Sequence, residues 1–271
     1  MEIKQVVNGL SEIMTNHWNI LKDALYSGET EGLSLEEIIE KYTFFKVFED
    51  VVDNVAPQFS IPIKDLGKIY RGVGVNEDIE LNFYQRMIPH PDYVKNHNRM
   101  NPPGEAFIYL GVIPIKKGKS EEIEKKFILK TIEAELRIKR GDFYTSARFE
   151  SDSDKNIFDV VGDQSLPIDI YELAEILRKK SPKERSRITA LFYFNLFNND
   201  KIFKPVNSSE NDVRAREYAP FQLLAIYFRS KGYAGIKYRS TVHKEGTNVV
   251  IFNPKNVKLI ESSMEKVIHS I

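Results

Sequence analysis

The chain has 271 residues, 42% of them apolar and 29% charged, enough to bury a core in one large domain or in one domain with an appendage. Lys plus Arg and Asp plus Glu each number 39, so the formal net charge is zero, and a partner recognised chiefly through phosphates, such as DNA or an anionic membrane, is not expected. There is no cysteine, which excludes a disulfide framework, a thiolate nucleophile and a cysteine zinc site.

The opening stretch MEIKQVVNGLSEIMTNHW carries no apolar signal core, and no run approaches the ~18 apolar residues of a membrane span. The expectation is a soluble, cytoplasmic protein with no membrane partner. Within residues 1–60, Val6, Leu10, Ile13, Met14, Trp18 and Leu21 recur at helical spacing. Ser34 with Glu37 makes a capping box ahead of Ile38 and Ile39. The prolines of NVAPQFSIP, residues 54–62, then interrupt the pattern and set a boundary near residue 60. The organisation expected is a helical N-terminal extension, 1–60, followed by a second unit, 61–271.

Strand-like runs follow at Lys68–Val75, Ala106–Pro114 and Asp142–Phe149. Between the last two, Ser120 to about Lys139 has helical composition, with Ser120 as the N-cap. Residues 169–200 are also helical in pattern, and Ser181-Pro182-Lys183-Glu184 supplies a capping box with proline at the first helical position. Pro220–Lys231 predicts an amphipathic helix that Gly232 stops. Two of Leu223, Leu224, Tyr227 and Phe228 are expected to be buried, and any exposed members would offer a contact for a partner. Strands at Gly235–Ser240 and Asn248–Asn253 close the pattern. Strands and helices mixed without a regular βαβ rhythm indicate an α+β fold.

Several chemistries lack their residues. No GxGxxG follows a strand, and there is no GxxxxGK[ST] loop and no GxSxG elbow. The histidines are His17, His90, His97, His243 and His269, and none forms HExxH or another ligand pair. No metal site is expected, and His90 and His97 are read as exposed loop residues.

What remains is a scattered set of polar residues at strand ends. Arg71 falls inside the apolar run KIYRGVG, where an unpaired guanidinium is costly. It is read either as half of a salt bridge or as a fork-shaped donor for a carboxylate or phosphate. Arg99 opens the turn RMNPPG and has the same two readings. Glu133 and Glu135 share a face on a strand but diverge by about 200° on a helix. Ser240 and Thr241 end a strand at a turn, where a serine is usually only a turn residue.

In this order the pieces resemble the RES domain, a family named for an arginine, a glutamate and a serine. Its pattern is matched by Tyr70-Arg71, by Arg99-Met100-Asn101-Pro102-Pro103-Gly104 and by Ile108-Tyr109-Leu110. It continues through Thr131 to Glu135, Tyr218 to Gln222, Gly232 to Ser240 and Asn248 to Phe252, spanning residues 66–257. Ile132 stands where the family usually has alanine, and residues 1–60 inherit nothing from the likeness. The Glu133-x-Glu135 pair is also similar to the ExE of arginine-directed ADP-ribosyltransferases. There a Ser-Thr-Ser motif precedes the glutamates, whereas here Tyr144-Thr145-Ser146 and Ser240 follow them, so the order is that of the RES family.

The resemblance implies a fold like that of the ADP-ribosyltransferases, preceded here by the helical extension. It implies a toxin-like enzyme of a type II toxin–antitoxin pair that degrades NAD+ by hydrolysis or phosphorolysis. NAD+ is then a substrate, no cofactor is needed, and inorganic phosphate is an optional co-substrate. Glu135, Arg71 and Ser240 become the expected catalytic residues, and Arg71, Arg99, Asn101, Tyr109 and Ser240 the expected NAD+ contacts. Gln222, Tyr238 and Glu133 are weaker candidates. Ser240 would hydrogen-bond the departing carboxamide, and the partner would be an antitoxin protein, with no direct nucleic-acid contact by this chain. The alternatives are a protein ADP-ribosyltransferase using NAD+ and an inert partner-binding copy of the fold.

Overall fold

The computed structural model describes residues 3–74, 86–113, 120–167, 169–204, 206, 208 and 210–269. The side chain of Val6, and Val75 and Pro114 at the ends of expected strands, lie outside the described residues. Seven helices are described: α1 (Ile3–Ser27), α2 (Leu35–Lys41), α3 (Thr43–Phe59), α4 (Glu121–Leu136), α5 (Ile170–Arg178), α6 (Pro182–Phe197) and α7 (Asn211–Ser230). The strands are β1 (Ser60–Pro62), β2 (Ile69–Gly74), β3 (Ile108–Val112), β4 (Phe143–Glu150), β5 (Asn156–Asp159), β6 (Gly235–Arg239), β7 (Thr247–Ile251), β8 (Lys258–Leu259) and β9 (Glu265–Ile268). They form one sheet in the order β1-β5-β6-β7-β3-β2-β4-β8, with β9 also beside β4. Among the described strands, only β5 and β6 pair in parallel. The fold is α+β, as the sequence pattern indicates.

Capping chemistry sets the helix starts. Both expected capping boxes form, Ser34 with Glu37 and Ser181 with Glu184, and Ser120 caps α4 through its bond from the Ile123 amide. The helix before the expected break near residue 60 ends at Phe59, with Pro57 carried in its last turn. One boundary differs from expectation: helix α7 begins at Asn211 and carries Pro220 in its interior. A proline there removes one backbone bond, and the helix is held by burial of Phe221, Leu224, Tyr227 and Phe228. Leu223, Leu224, Tyr227 and Phe228 are all buried, which corrects the expectation of two and removes this stripe as a partner surface.

One face of the sheet carries two helical blocks. Tyr238 lies opposite Asn248, Asn248 opposite Gly111, and Gly111 opposite Tyr70, so these residues form a cross-strand row on that face. Over β5, β6 and β7 the block is α1, α3, α6 and α7, joined in one apolar cluster that includes Trp18, Phe48, Phe194, Phe228, Ile236 and Val250. Trp18 meets Phe44 and Phe221 edge-on, with ring centroids 5.0 and 4.7 Å apart. Residues of α1 and α3 therefore share this core with the motif-bearing part. Each buried aromatic or aliphatic side chain there is worth ~1.5–3 kcal/mol of burial. A chain beginning at Ser60 is expected to aggregate instead of folding, which solubility and near-ultraviolet circular dichroism would show. A soluble truncation with raised activity would instead mark the segment as a lid.

Over β2, β3 and β4 the block is α4 alone, packed through Ile128 and Ile132 on Tyr70 and Tyr144. Its close approach depends on two glycines. A Cβ on Gly72 would lie 2.1 Å from Ile132 Cγ2, and one on Gly111 would lie 2.7 Å from Ile128 Cδ1. Gly72→Ala is expected to push α4 off the sheet at a cost of ~1–3 kcal/mol, read as a lowered Tm. The cleft described next lies between the two blocks.

Candidate active site

The pairing of β2 with β3 opens this cleft. It holds only at Ile69–Val112 and Tyr70–Gly111, whereas β2 pairs with β4 along its whole length. Arg71 sits where the strands part, and its Nη1 donates to the Tyr109 carbonyl at 3.1 Å. Its Nε is buried without a hydrogen-bond partner. No carboxylate pairs with it among the described residues, which favours the ligand-donor reading over the salt bridge. Burial pulls the guanidinium down to about 10, which leaves it charged at neutral pH.

The cleft has two arms. The first, a cavity of about 340 Å³, is lined by Arg71, Tyr70, Gly72, Ile132 and Asn248 among others. The second, about 320 Å³, is lined by Arg99, Arg137, Arg214, Tyr218 and His97 among others. Asn98, Tyr109, Glu135 and Tyr238 line both, so the arms meet at Glu135.

Glu135 is placed by the last turn of α4. Its Oε1 accepts from Ser240 Oγ at 2.7 Å and from Asn248 Nδ2, while Oε2 accepts no bond among the described residues. Ser240 is buried and directly follows β6. Its hydroxyl proton goes to Glu135, and its oxygen accepts the amides of Val242 and His243 at 3.3 and 3.1 Å. Thr131, one turn before Glu135, is fully buried and meets His243 Nδ1 at 2.7 Å. The β6–β7 turn is thereby clamped to α4, which fixes the Ser240–Glu135 contact. Glu133 faces away, as the helical spacing requires. It accepts from Tyr144 at 3.2 Å and lies 3.2 Å from His269 Nδ1.

Asn101 is buried and serves its own turn. It donates to the Glu105 carbonyl at 2.6 Å and accepts from the Tyr109 hydroxyl at 2.8 Å. That hydroxyl in turn accepts the Met100 amide at 2.9 Å. The Tyr109 phenol is thus saturated, and burial raises its pKa, so the residue offers the cleft a ring and not an acid. Tyr238 stacks on Phe203, with centroids 5.9 Å apart, and burial raises its phenol too. Gln222 lies outside both arms, bonding His97 and the Asn98 carbonyl and so pinning the loop that precedes Arg99. Arg99 donates to the Phe203 carbonyl at 3.3 Å and lies over the Phe203 and Phe221 rings at 5.5 and 5.6 Å.

The structure thus brings Arg71, Arg99, Tyr109, Glu135 and Tyr238 into one cleft, with Ser240 behind Glu135. Asn101 and Gln222 brace it from outside, and Glu133 lies on the far side of α4. Sequence reasoning missed Asn98, Asn248, Arg137 and Arg214 as site residues. Asn248 had a signal, a polar residue leading into the apolar run Val249–Ile251.

The family model described as RES domain matches residues 173–267. This bears out the resemblance read from the ordered motifs; the matched span holds Gln222, Tyr238, Ser240 and Asn248, and Arg71, Arg99, Tyr109 and Glu135 precede it. No curated protein matches the chain. Among solved structures, a chain of the M. tuberculosis MbcT–MbcA toxin–antitoxin complex is similar over 82% of this chain and 93% of its own, at 15% identity and a TM-score of 0.35.

Proposed function

We propose that this RES-type chain cleaves the nicotinamide–ribose bond of NAD+ and is the toxin of a toxin–antitoxin pair. The observation that carries the reading is the meeting of Glu135, Ser240 and Asn248 at the junction of two arms, one holding Arg71 and the other Arg99, Arg137 and Arg214, none with a carboxylate partner among the described residues. A guanidinium with a buried, unpaired nitrogen and no counter-ion, as at Arg71, is costly, and the pyrophosphate of a dinucleotide would supply the missing charge to it, or to the half-buried Arg99.

The chemistry then follows from the chain's own groups. As the bond to nicotinamide breaks, its electron pair leaves with the ring nitrogen, and positive charge develops on the ribose. The Glu135 carboxylate is pre-oriented through Oε1 and stabilises that charge through Oε2, which is free to meet the ribose hydroxyls. Ser240 has committed its proton to Glu135, so its part is to hold the carboxylate, in place of the carboxamide contact expected from the sequence. Tyr109 and Tyr238 give the nucleotide flat apolar walls. An acceptor oxygen then bonds to the ribose carbon and releases its proton to solvent. Water would give ADP-ribose, phosphate a phosphorylated ADP-ribose, and a protein side chain a modified protein.

Incubating the purified chain with NAD+, with and without phosphate, and resolving the products identifies the acceptor. Free nicotinamide is expected in either condition in which the acceptor is present. Intact NAD+ throughout would instead favour an inert partner-binding copy of the fold.

A further inference from the structure

The second arm holds more positive charge than a single contact with a pyrophosphate requires. Arg99, Arg137 and Arg214 all line it, and none of them pairs with a carboxylate among the described residues. Each is oriented by a carbonyl of the same connection between α6 and α7. Arg99 Nη2 donates to Phe203 at 3.3 Å, Arg137 Nη2 to Val206 at 3.3 Å, and Arg214 Nε to Ser208 at 2.8 Å. Carbonyls orient a guanidinium without neutralising it, so the three charges remain available to a ligand. Glu135 is the one carboxylate lining the arm among the described residues, and its Oε1 is already taken by Ser240 and Asn248.

Arg137 carries a second, independent signal. It follows α4 directly and has φ 54, the one positive φ at a non-glycine residue among those described. Glycine fills such a helix-ending position without strain. Its backbone amide bonds the Ala134 and Glu133 carbonyls, which needs no particular side chain. The long cationic side chain is therefore not what ends the helix. Strain of this kind gathers at ligand sites.

We propose that Arg99, Arg137 and Arg214 form a phosphoryl-binding subsite that grips a multiply charged anion beside the ribose held at Glu135. The placement of the ribose rests on the NAD+ reading above. The ligand chemistry is a phosphate group, supplied by the dinucleotide itself or by free inorganic phosphate. Planar forked donors from three separate segments of the chain suit a tetrahedral oxyanion, and the first arm keeps Arg71 for any second charged group.

The test is calorimetric titration of the full chain with inorganic phosphate and with ADP-ribose at low salt, comparing wild type with Arg137→Gln and Arg214→Gln. Each loses one charge-assisted fork, and the affinity for at least one probe is expected to fall about tenfold or more. Arg137→Gln keeps the backbone cap, so its loss would not be one of folding. If ADP-ribose displaces phosphate, the arm holds the dinucleotide's own phosphates. If the two bind together, it holds a separate phosphate. Wild-type affinity in both variants, or no binding of either probe to wild type, would overturn the subsite. NAD+ turnover is scored separately. Probes that bind through these arginines while NAD+ stays intact would leave the subsite standing and remove the catalytic reading.

Discussion

Glu135→Gln is expected to fold like the wild-type chain and to consume NAD+ at least ~10²-fold more slowly. The amide keeps the shape of the side chain, so it still meets Ser240 and Asn248, but it carries no charge to set against the developing ribose cation. The loss is expected in kcat, because the carboxylate acts on charge that appears only in the transition state. Glu133→Gln is the matched control. It sits two residues away and faces Tyr144 and His269, so turnover should change by less than about threefold. Equal turnover in Glu135→Gln and wild type would remove the carboxylate from the mechanism.

Arg71→Met is expected to separate stability from function. The guanidinium lies where β2 and β3 part, with a buried Nε lacking a partner and one bond to a carbonyl. Its depressed pKa means that the folded chain holds the proton less readily than the unfolded chain does. That penalty is present at every pH below about 10 and fades only as pH rises through the folded value toward the unfolded one. A methionine of similar length removes the charge, so stability should be unchanged or higher by ~1–3 kcal/mol, evenly across the neutral range. The ligand loses its buried cation, so kcat/KM for NAD+ should fall ~10²-fold. A strongly destabilised Arg71→Met chain would mean that the arginine is structural after all.

The parts of the fold legible in the sequence were those written in local chemistry. Ser34, Ser120 and Ser181 mark helix starts because a cap needs only a side-chain oxygen and an amide two or three residues on. The strands β2, β3, β4, β6 and β7 are long enough to show a pattern. The strands β1 and β8 are three and two residues long, too short to carry any period, and exist only because β5 and β4 offer them an edge. The position of Pro220 inside α7 was not legible, because burial of the following aromatics outweighs the local preference.

The site divides in the same way. Glu135 was separable from Glu133 on helical geometry, and Arg71 stood out as a charge in an apolar run. Arg137 and Arg214 were not legible. One ends a helix and the other begins one, in places where exposed arginines are common, and only the α6–α7 connection brings them together. Asn101 looked like a ligand contact, yet its amide is spent on the turn and on Tyr109, a distinction only three-dimensional contacts reveal.

The central claim is that NAD+ is cleaved at the junction where Glu135 meets Ser240 and Asn248. It is tested most directly by a crystal structure of the Glu135→Gln chain with intact NAD+, since slowed turnover should hold the substrate in place. The account predicts the nicotinamide ribose against residue 135, the pyrophosphate against the arginines of the cleft, and Tyr109 and Tyr238 flanking the nucleotide. NAD+ bound elsewhere on the chain, or an empty cleft at saturating NAD+, would contradict it.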